Sequence, residues 1–199
     1  MSLKGQLVAF LFEAASLRRV QRSGYQFLGR GQESVAEHVF GALTVAFVLG
    51  QQTPEANLEK LLTLILFHDL AEARTGDLNY VNKRYVLALE KEAYLDSIRG
   101  LPFEAELTEL QNEWLAGETL EAKLAHDADQ LDLMLELRRL ASHGWRQARD
   151  WFSYAQKRLV TDVAKDLAKD LSIADPDAWW FEPREELWVN PPPAGDPKP

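Results

Sequence analysis

The stretch LILFHDLAEARTGD, residues 64–77, sets His68, Asp69 and Glu72 at the end of a strongly apolar run. On a helix of 3.6 residues per turn, His68 and Glu72 lie four apart and Asp69 and Glu72 three apart, so the three project as one patch. A carboxylate or imidazole beside a buried face is costly unless it is paired, hydrogen-bonded or bound to a metal. Taken alone, the segment also suits a local polar network in which the three side chains satisfy one another.

A second polar intrusion shifts that balance. His38 stands among Val35, Val39, Ala42 and Val45 in another apolar helical run. A third segment, LAHDADQLDLM, carries His126, Asp127, Asp129 and Asp132 in a leucine-studded helix. Asp132 falls toward Glu136 and Arg139, a solvated face. Asp127 aligns with Leu120, Leu124, Leu131 and Met134, and Asp129 with Ala122, Ala125, Leu133, Leu137 and Leu140. Periodicity slightly prefers Asp127 as the buried carboxylate, and either could reach a metal held by the other helices. Two imidazoles and two carboxylates make a plausible donor set for one divalent transition metal, with positions left for water and substrate. Helical-bundle cores commonly house such sites. His143, beside Gly144, reads as a helix end.

Helices must position these groups, and the chain reads as helix after helix. GQLVAFLFEAASLRRV has helical spacing of its apolar residues. Ser34 and Glu37 form a capping-box pattern, so a second helix starts near Val35 and continues through HVFGALTVAFVLGQQ. Thr53 as cap and Pro54 at the first helical position predict a third helix running through His68 to Gly76. A weaker helix is expected over residues 81–99, and another between Pro102 and Gly117. A long helix closes at Gly144, and a last one covers DWFSYAQKRLVTDVAKDLAKDLS. With no strand alternation, phosphate-binding loop or repeat, the expected fold class is all-α.

Composition limits the function. The 199 residues suffice for one domain with a sizeable core. A formal net charge of −9 argues against nucleic-acid polymers and anionic membranes as partners. A small acidic ligand could still bind if a metal reversed the local sign. The absence of cysteine excludes disulfides and thiolate chemistry and fits a reducing compartment. The apolar N-terminal run is too short to span a membrane. A soluble, cytoplasmic protein is expected.

ESVAEHV, FHDLAEARTGD and HDADQLDLM, in that order and approximate spacing, resemble the HD-domain superfamily of metal-dependent phosphohydrolases. RRVQRSGY resembles the segment preceding the first histidine in its YfbR-like 5′-deoxynucleotidase branch. The similarity covers about residues 15–140. With that resemblance, the expected organisation is a single HD-domain helical bundle over residues 1–175, and composition adds an aromatic- and Pro-rich tail at 176–199 whose last residues are expected to be disordered. It implies His38, His68, Asp69 and Asp129 as ligands of one divalent metal per chain (Mn, Co, Fe, Ni or Zn), and so selects Asp129 over Asp127. Glu72 is implied to handle the proton of a metal-activated water, Asp77 to contact substrate or water, and Arg22 to clamp phosphate, with Arg19 as substitute. Tyr25 stands where many relatives have Trp, and LNYVNKRYV departs from the family pattern, so base and sugar preference stay open.

The implied activity is removal of the 5′-phosphate from deoxyribonucleoside monophosphates. Alternatives are hydrolysis of a nucleoside triphosphate or guanosine alarmone, or a non-catalytic helical dimer stapled by a metal. A homodimer is expected, because the apolar helices outnumber what one small bundle can cover.

Overall fold

The computed structural model describes residues 2–181 and 188–189. The expectation for the end of the tail falls largely outside the described residues. The elements are α1 (Leu3–Ser16), α2 (Tyr25–Leu28), α3 (Val35–Gln51), α4 (Leu58–Phe67), α5 (Glu72–Thr75), α6 (Glu90–Ile98), α7 (Glu104–Ala116), α8 (Leu120–Ser142), α9 (Arg146–Gln156) and α10 (Asp162–Ile173). Short 3-10 turns occupy Leu17–Arg19 and Asn82–Arg84. The fold is all-α. Among the described residues the only extended pairing is an isolated bridge between Gln21 and Ser34, and no helix is long and apolar enough to cross a membrane.

α3, α4 and α8 form the central layer, and α9 and α10 pack on α8. Their shared core holds Leu49, Leu61, Ile65, Leu131, Met134 and Leu137. Small residues such as Ala42, Ala46, Ala125 and Ala128 fill positions where the helices meet. A second apolar cluster, built around Phe10, Leu70, Tyr94, Ile98 and Leu107, ties the N-terminal helix to α6 and α7.

Several boundaries follow the expected signals. Ser34 accepts from the Glu37 amide while the Glu37 carboxylate accepts from Ser34, completing the capping box at the start of α3. α7 ends at Gly117 in the left-handed conformation (φ 63°), which glycine adopts without steric cost.

Other boundaries differ from expectation, each for a local reason. Asn57, not Thr53, caps α4, and its side chain accepts from the Lys60 amide. Thr53 instead donates to the Leu49 carbonyl and closes α3. The helix expected to run to Gly76 breaks after Phe67. His68 Nδ1 donates to the Ile65 carbonyl at 2.7 Å, the oxygen the Asp69 amide would take in a continuing α-helix. The chain then tightens into i→i−3 bonds, with Leu70 on Phe67, Glu72 on Asp69 and Ala73 on Leu70. Residues three apart eclipse in that geometry, which stacks Asp69 and Glu72 on one side.

The helix expected over residues 81–99 is only a 3-10 turn followed, after a non-helical stretch, by α6. The last expected helix is two, α9 and α10. Asp127 splits them by accepting from the Val160 amide (2.9 Å), the Thr161 amide (2.8 Å) and the Thr161 hydroxyl (2.6 Å). Those partners explain why Asp127 is buried. Periodicity detected the burial, but its cause is structural.

Candidate metal centre and substrate cavity

Three elements deliver the polar groups to one place. His38 comes from α3, His68 and Asp69 from the broken junction of α4 and α5, and Asp129 from α8. His38 Nε2 lies 3.0 Å from Asp129 Oδ1 and 3.7 Å from Asp69 Oδ2. His68 Nε2 lies 3.1 Å from Asp69 Oδ2 and 4.0 Å from Asp129 Oδ1. The ligand atoms of His38, His68 and Asp69 all fall within 4.8 Å of one another.

Both imidazoles spend Nδ1 on protein acceptors: His68 on the Ile65 carbonyl, and His38 on Asp132 Oδ2 at 2.7 Å. That leaves both Nε2 atoms facing the cluster, buried and without a hydrogen-bond partner. Glu72 Oε2 is the third such orphaned atom. Orphaned buried polar atoms carry a desolvation cost. Ligands bound at about 2.1 Å to a common ion are separated by about 3.0–3.4 Å. The two shorter separations, 3.0 and 3.1 Å, and the donor chemistry fit a divalent metal, while the 3.7 and 4.0 Å pairs would have to draw closer around it.

Charge supports the same conclusion. Asp69, Asp77 and Asp129 crowd the site, and the guanidinium of Arg22 lies among them. Its Nη1 lies 3.2 Å from Asp69 Oδ2 and 3.4 Å from Asp77 Oδ2. An anionic substrate entering this pocket needs a cation to reverse the sign. Burial opposes the charge of Asp129, yet His38, His68 and Arg22 hold its carboxyl well below the ordinary range. Burial likewise opposes a charged His38, but Asp129 and Asp132 on its two ring nitrogens outweigh it and push its pKa up to about 10. Burial, then the carboxylates of Asp69 and Asp77, push Glu72 up to about 9.

One consequence is a proton competition. A metal bound at His38 Nε2 would compete with the proton that Asp129 and Asp132 hold there above the ordinary imidazole range, so apparent affinity should rise with pH from 6 to 8. Titrating metal-free protein with Mn²⁺ at pH 6, 7 and 8 checks this, and a pH-independent affinity would contradict it.

Arg22 sits on a loop anchored to the start of α3. Its amide donates to the Glu33 carbonyl at 2.8 Å. Asp77 clamps the same loop: its Oδ1 accepts from the Ser23 amide (2.7 Å) and hydroxyl (2.6 Å) while its Oδ2 faces Arg22. Ser23 in turn accepts from Asn79, which accepts from the Val81 and Asn82 amides. Asp77 is thus occupied in holding Arg22. Ser23 carries no chemical signal in sequence, because the partner that reveals it is 54 residues away.

The cluster opens into a cavity of about 370 Å³ lined by Arg22, His68, Asp69, Glu72, Asp77 and Asp129. Its remaining wall includes Tyr25, Leu28, Leu133 and Trp151, and the cations Lys83, Lys91 and Arg158. The Trp114 ring, 4.9 Å from the His68 ring, stacks on His126. His126 bonds the Trp114 carbonyl and does not approach the metal cluster. Arg19 is exposed in the 3-10 turn and does not line the cavity. Arg74, in the same stretch as His68 and Asp69, turns away to pair with Glu13. Asp132 corrects the sequence expectation of a solvated face, since only 9% of its surface is exposed and its carboxylate is committed to His38.

The fold and site define a helical protein with a His/Asp cluster, suited to holding a divalent metal, at the base of a cavity. Residues 14–171 match the HD domain, and the chain belongs to that family. It is 26% identical over 179 residues to the 5′-deoxynucleotidase YBR242W of Saccharomyces cerevisiae, covering 84% of this chain and 74% of that protein. It is 31% identical over 137 residues to the 5′-deoxynucleotidase HDDC2 of Danio rerio, covering 65% of this chain and 67% of that one. Among solved structures, a conserved hypothetical protein from Pyrococcus furiosus superposes with a TM-score of 0.71 at 25% identity, covering 82% of this chain and 98% of that one.

Proposed function

We propose that this protein is a metal-dependent phosphohydrolase that removes the 5′-phosphate of deoxyribonucleoside monophosphates. The observation that carries the reading is the convergence of His38 Nε2, His68 Nε2 and the Asp69 and Asp129 carboxylates at a cavity that also holds Glu72 and Arg22. Relatives that bear the 5′-deoxynucleotidase name support the substrate class.

A phosphomonoester resists hydrolysis because its negative oxygens repel a nucleophile. His38, His68, Asp69 and Asp129 would hold one divalent metal, which when bound offsets that charge and makes water more acidic. Arg22 presents a planar fork to the phosphate, and Asp77 with Ser23 keeps that fork in place. Glu72, one 3-10 turn from Asp69, takes the proton of the attacking water, and a neighbouring cation brings its raised pKa back toward neutrality. The wall of Tyr25, Leu28, Leu133 and Trp151 receives the nucleoside.

The test is phosphate release from 5′-deoxynucleoside, 5′-ribonucleoside and 3′-monophosphates and from triphosphates. Release confined to 5′-deoxy monophosphates supports the reading. Preferential turnover of triphosphates, for which Lys83, Lys91 and Arg158 would be the added phosphate contacts, would overturn the substrate assignment.

We further infer a homodimer that works in the cytoplasm. Phe12 (75% exposed) and Phe40 (74% exposed) are large apolar side chains that a partner copy would cover. Light scattering after gel filtration should give about twice the 22.6 kDa chain mass, and a monomer at working concentration would rule the dimer out.

A further inference from the structure

His38 and His68 are held differently behind the metal cluster. His68 leans on a neutral carbonyl, whereas His38 leans on the carboxylate of Asp132, one helical turn after Asp129 on α8. The space for that carboxylate comes from α3. A Cβ added at Gly41, one turn after His38, would lie 1.9 Å from Asp132 Oδ1 and 2.8 Å from its Cγ. Any side chain at position 41 therefore collides with the carboxylate that reaches His38. The two helices carry matched pairs, His38 with Gly41 on α3 and Asp129 with Asp132 on α8.

We propose that Asp132, seated in the gap left by Gly41, is a positioning residue that fixes His38 in its Nδ1–H tautomer and aims Nε2 at the metal. An ionised carboxylate only accepts, so the 2.7 Å contact requires the proton on Nδ1 and leaves the Nε2 lone pair for a ligand bond. The same contact holds the ring plane and makes the imidazole a stronger donor. His38 is fully buried, so its Nδ1 relies on this partner within the protein. The inference rests on the metal-centre reading above and adds the residue pair that prepares one of its ligands.

The experiment measures metal affinity, not turnover, by competing Zn²⁺ and Mn²⁺ against a chelator. Wild-type protein should bind one ion per chain. Asp132→Ala should weaken binding about 10–100-fold, the range typical of losing a partner behind a metal-bound histidine. Asp132→Asn, which keeps an acceptor of the same shape, should recover part of that loss. Gly41→Ala should weaken binding comparably by displacing Asp132. The double variant Gly41→Ala/Asp132→Ala should be no weaker than Asp132→Ala alone, because the glycine then has nothing to accommodate.

If Asp132→Ala fails to fold, zinc-loaded wild-type protein decides by nitrogen NMR. A slowly exchanging Nδ1–H on His38 with zinc on Nε2 supports the proposal, and any other assignment overturns it. Binding within twofold of wild type in Asp132→Ala, or additive losses in the double variant, would also overturn it. So would two ions per chain, since Glu33, His38 and Asp132 also bring ligand atoms within 4.8 Å of one another. A wild-type protein that binds no metal would instead defeat the metal-centre reading itself.

Discussion

Glu72→Gln should retain one metal ion per chain while lowering kcat by about 10²–10⁴-fold, the usual contribution of a positioned proton acceptor. Glu72 lies beside the four convergent ligand groups without sharing their closest contacts, and its Oε2 is buried with no partner. Such an atom is held ready for a group that arrives with the substrate or its water. Burial and the carboxylates of Asp69 and Asp77 push its pKa up to about 9. A cation in the site stabilises the ionised form and returns it to a range useful for accepting a proton. Glutamine keeps the shape and loses only that capacity. Metal content by atomic emission, measured alongside kcat, separates the outcomes, and full turnover would remove Glu72 from the mechanism.

Asp129→Asn and Asp127→Asn should fail in opposite ways, although the residues are two apart. Asp129 Oδ1 is 3.0 Å from His38 Nε2, and Gln130 donates to its other oxygen at 2.8 Å. Removing its charge should weaken metal binding by about 10²-fold or more, beyond the range expected for a group behind a ligand, and activity should fall with it. Asp127 binds three donors at the start of α10. Its asparagine variant should keep metal and turnover but lose about 1–3 kcal/mol of stability, the cost of impairing hydrogen bonds to a buried charged acceptor. Chemical denaturation and metal titration of both variants provide the check. Loss of metal in Asp127→Asn with retention in Asp129→Asn would reverse the assignment.

This pair also marks what the sequence could convey. Periodicity reports that a side chain is buried, not what it is buried against. Asp127 is 1% exposed, as its alignment with Leu124 and Leu131 suggests, yet its partners are Val160 and Thr161, more than thirty positions on. Asp132 aligns with half-buried Glu136 and exposed Arg139, but His38 and the gap at Gly41 draw it inward. Both facts depend on how α3 and α8 cross, which no single helix encodes. Local signals were legible: the Ser34–Glu37 capping box and the glycine stop at Gly117 involve residues within one or two turns.

The break after Phe67 lies between these extremes. Its cause, His68 taking the Ile65 carbonyl, is local, but the apolar run into His68 favours a continuous helix, and only the orientation of the imidazole toward the cluster tips the balance. The polar types in apolar helices were enough to point to His38, His68, Asp69 and Glu72. The clamp of Asp77 on Ser23, which holds Arg22, required the folded chain.

If this cluster makes a metal-dependent phosphomonoesterase, metal-stripped protein should release phosphate from a 5′-deoxynucleoside monophosphate only as Mn²⁺ or Co²⁺ is added back. Activity should be absent without metal, rise in proportion to bound ion and level off at one ion per chain. Undiminished hydrolysis by the metal-stripped protein, or no hydrolysis with one ion bound per chain, would contradict that reading.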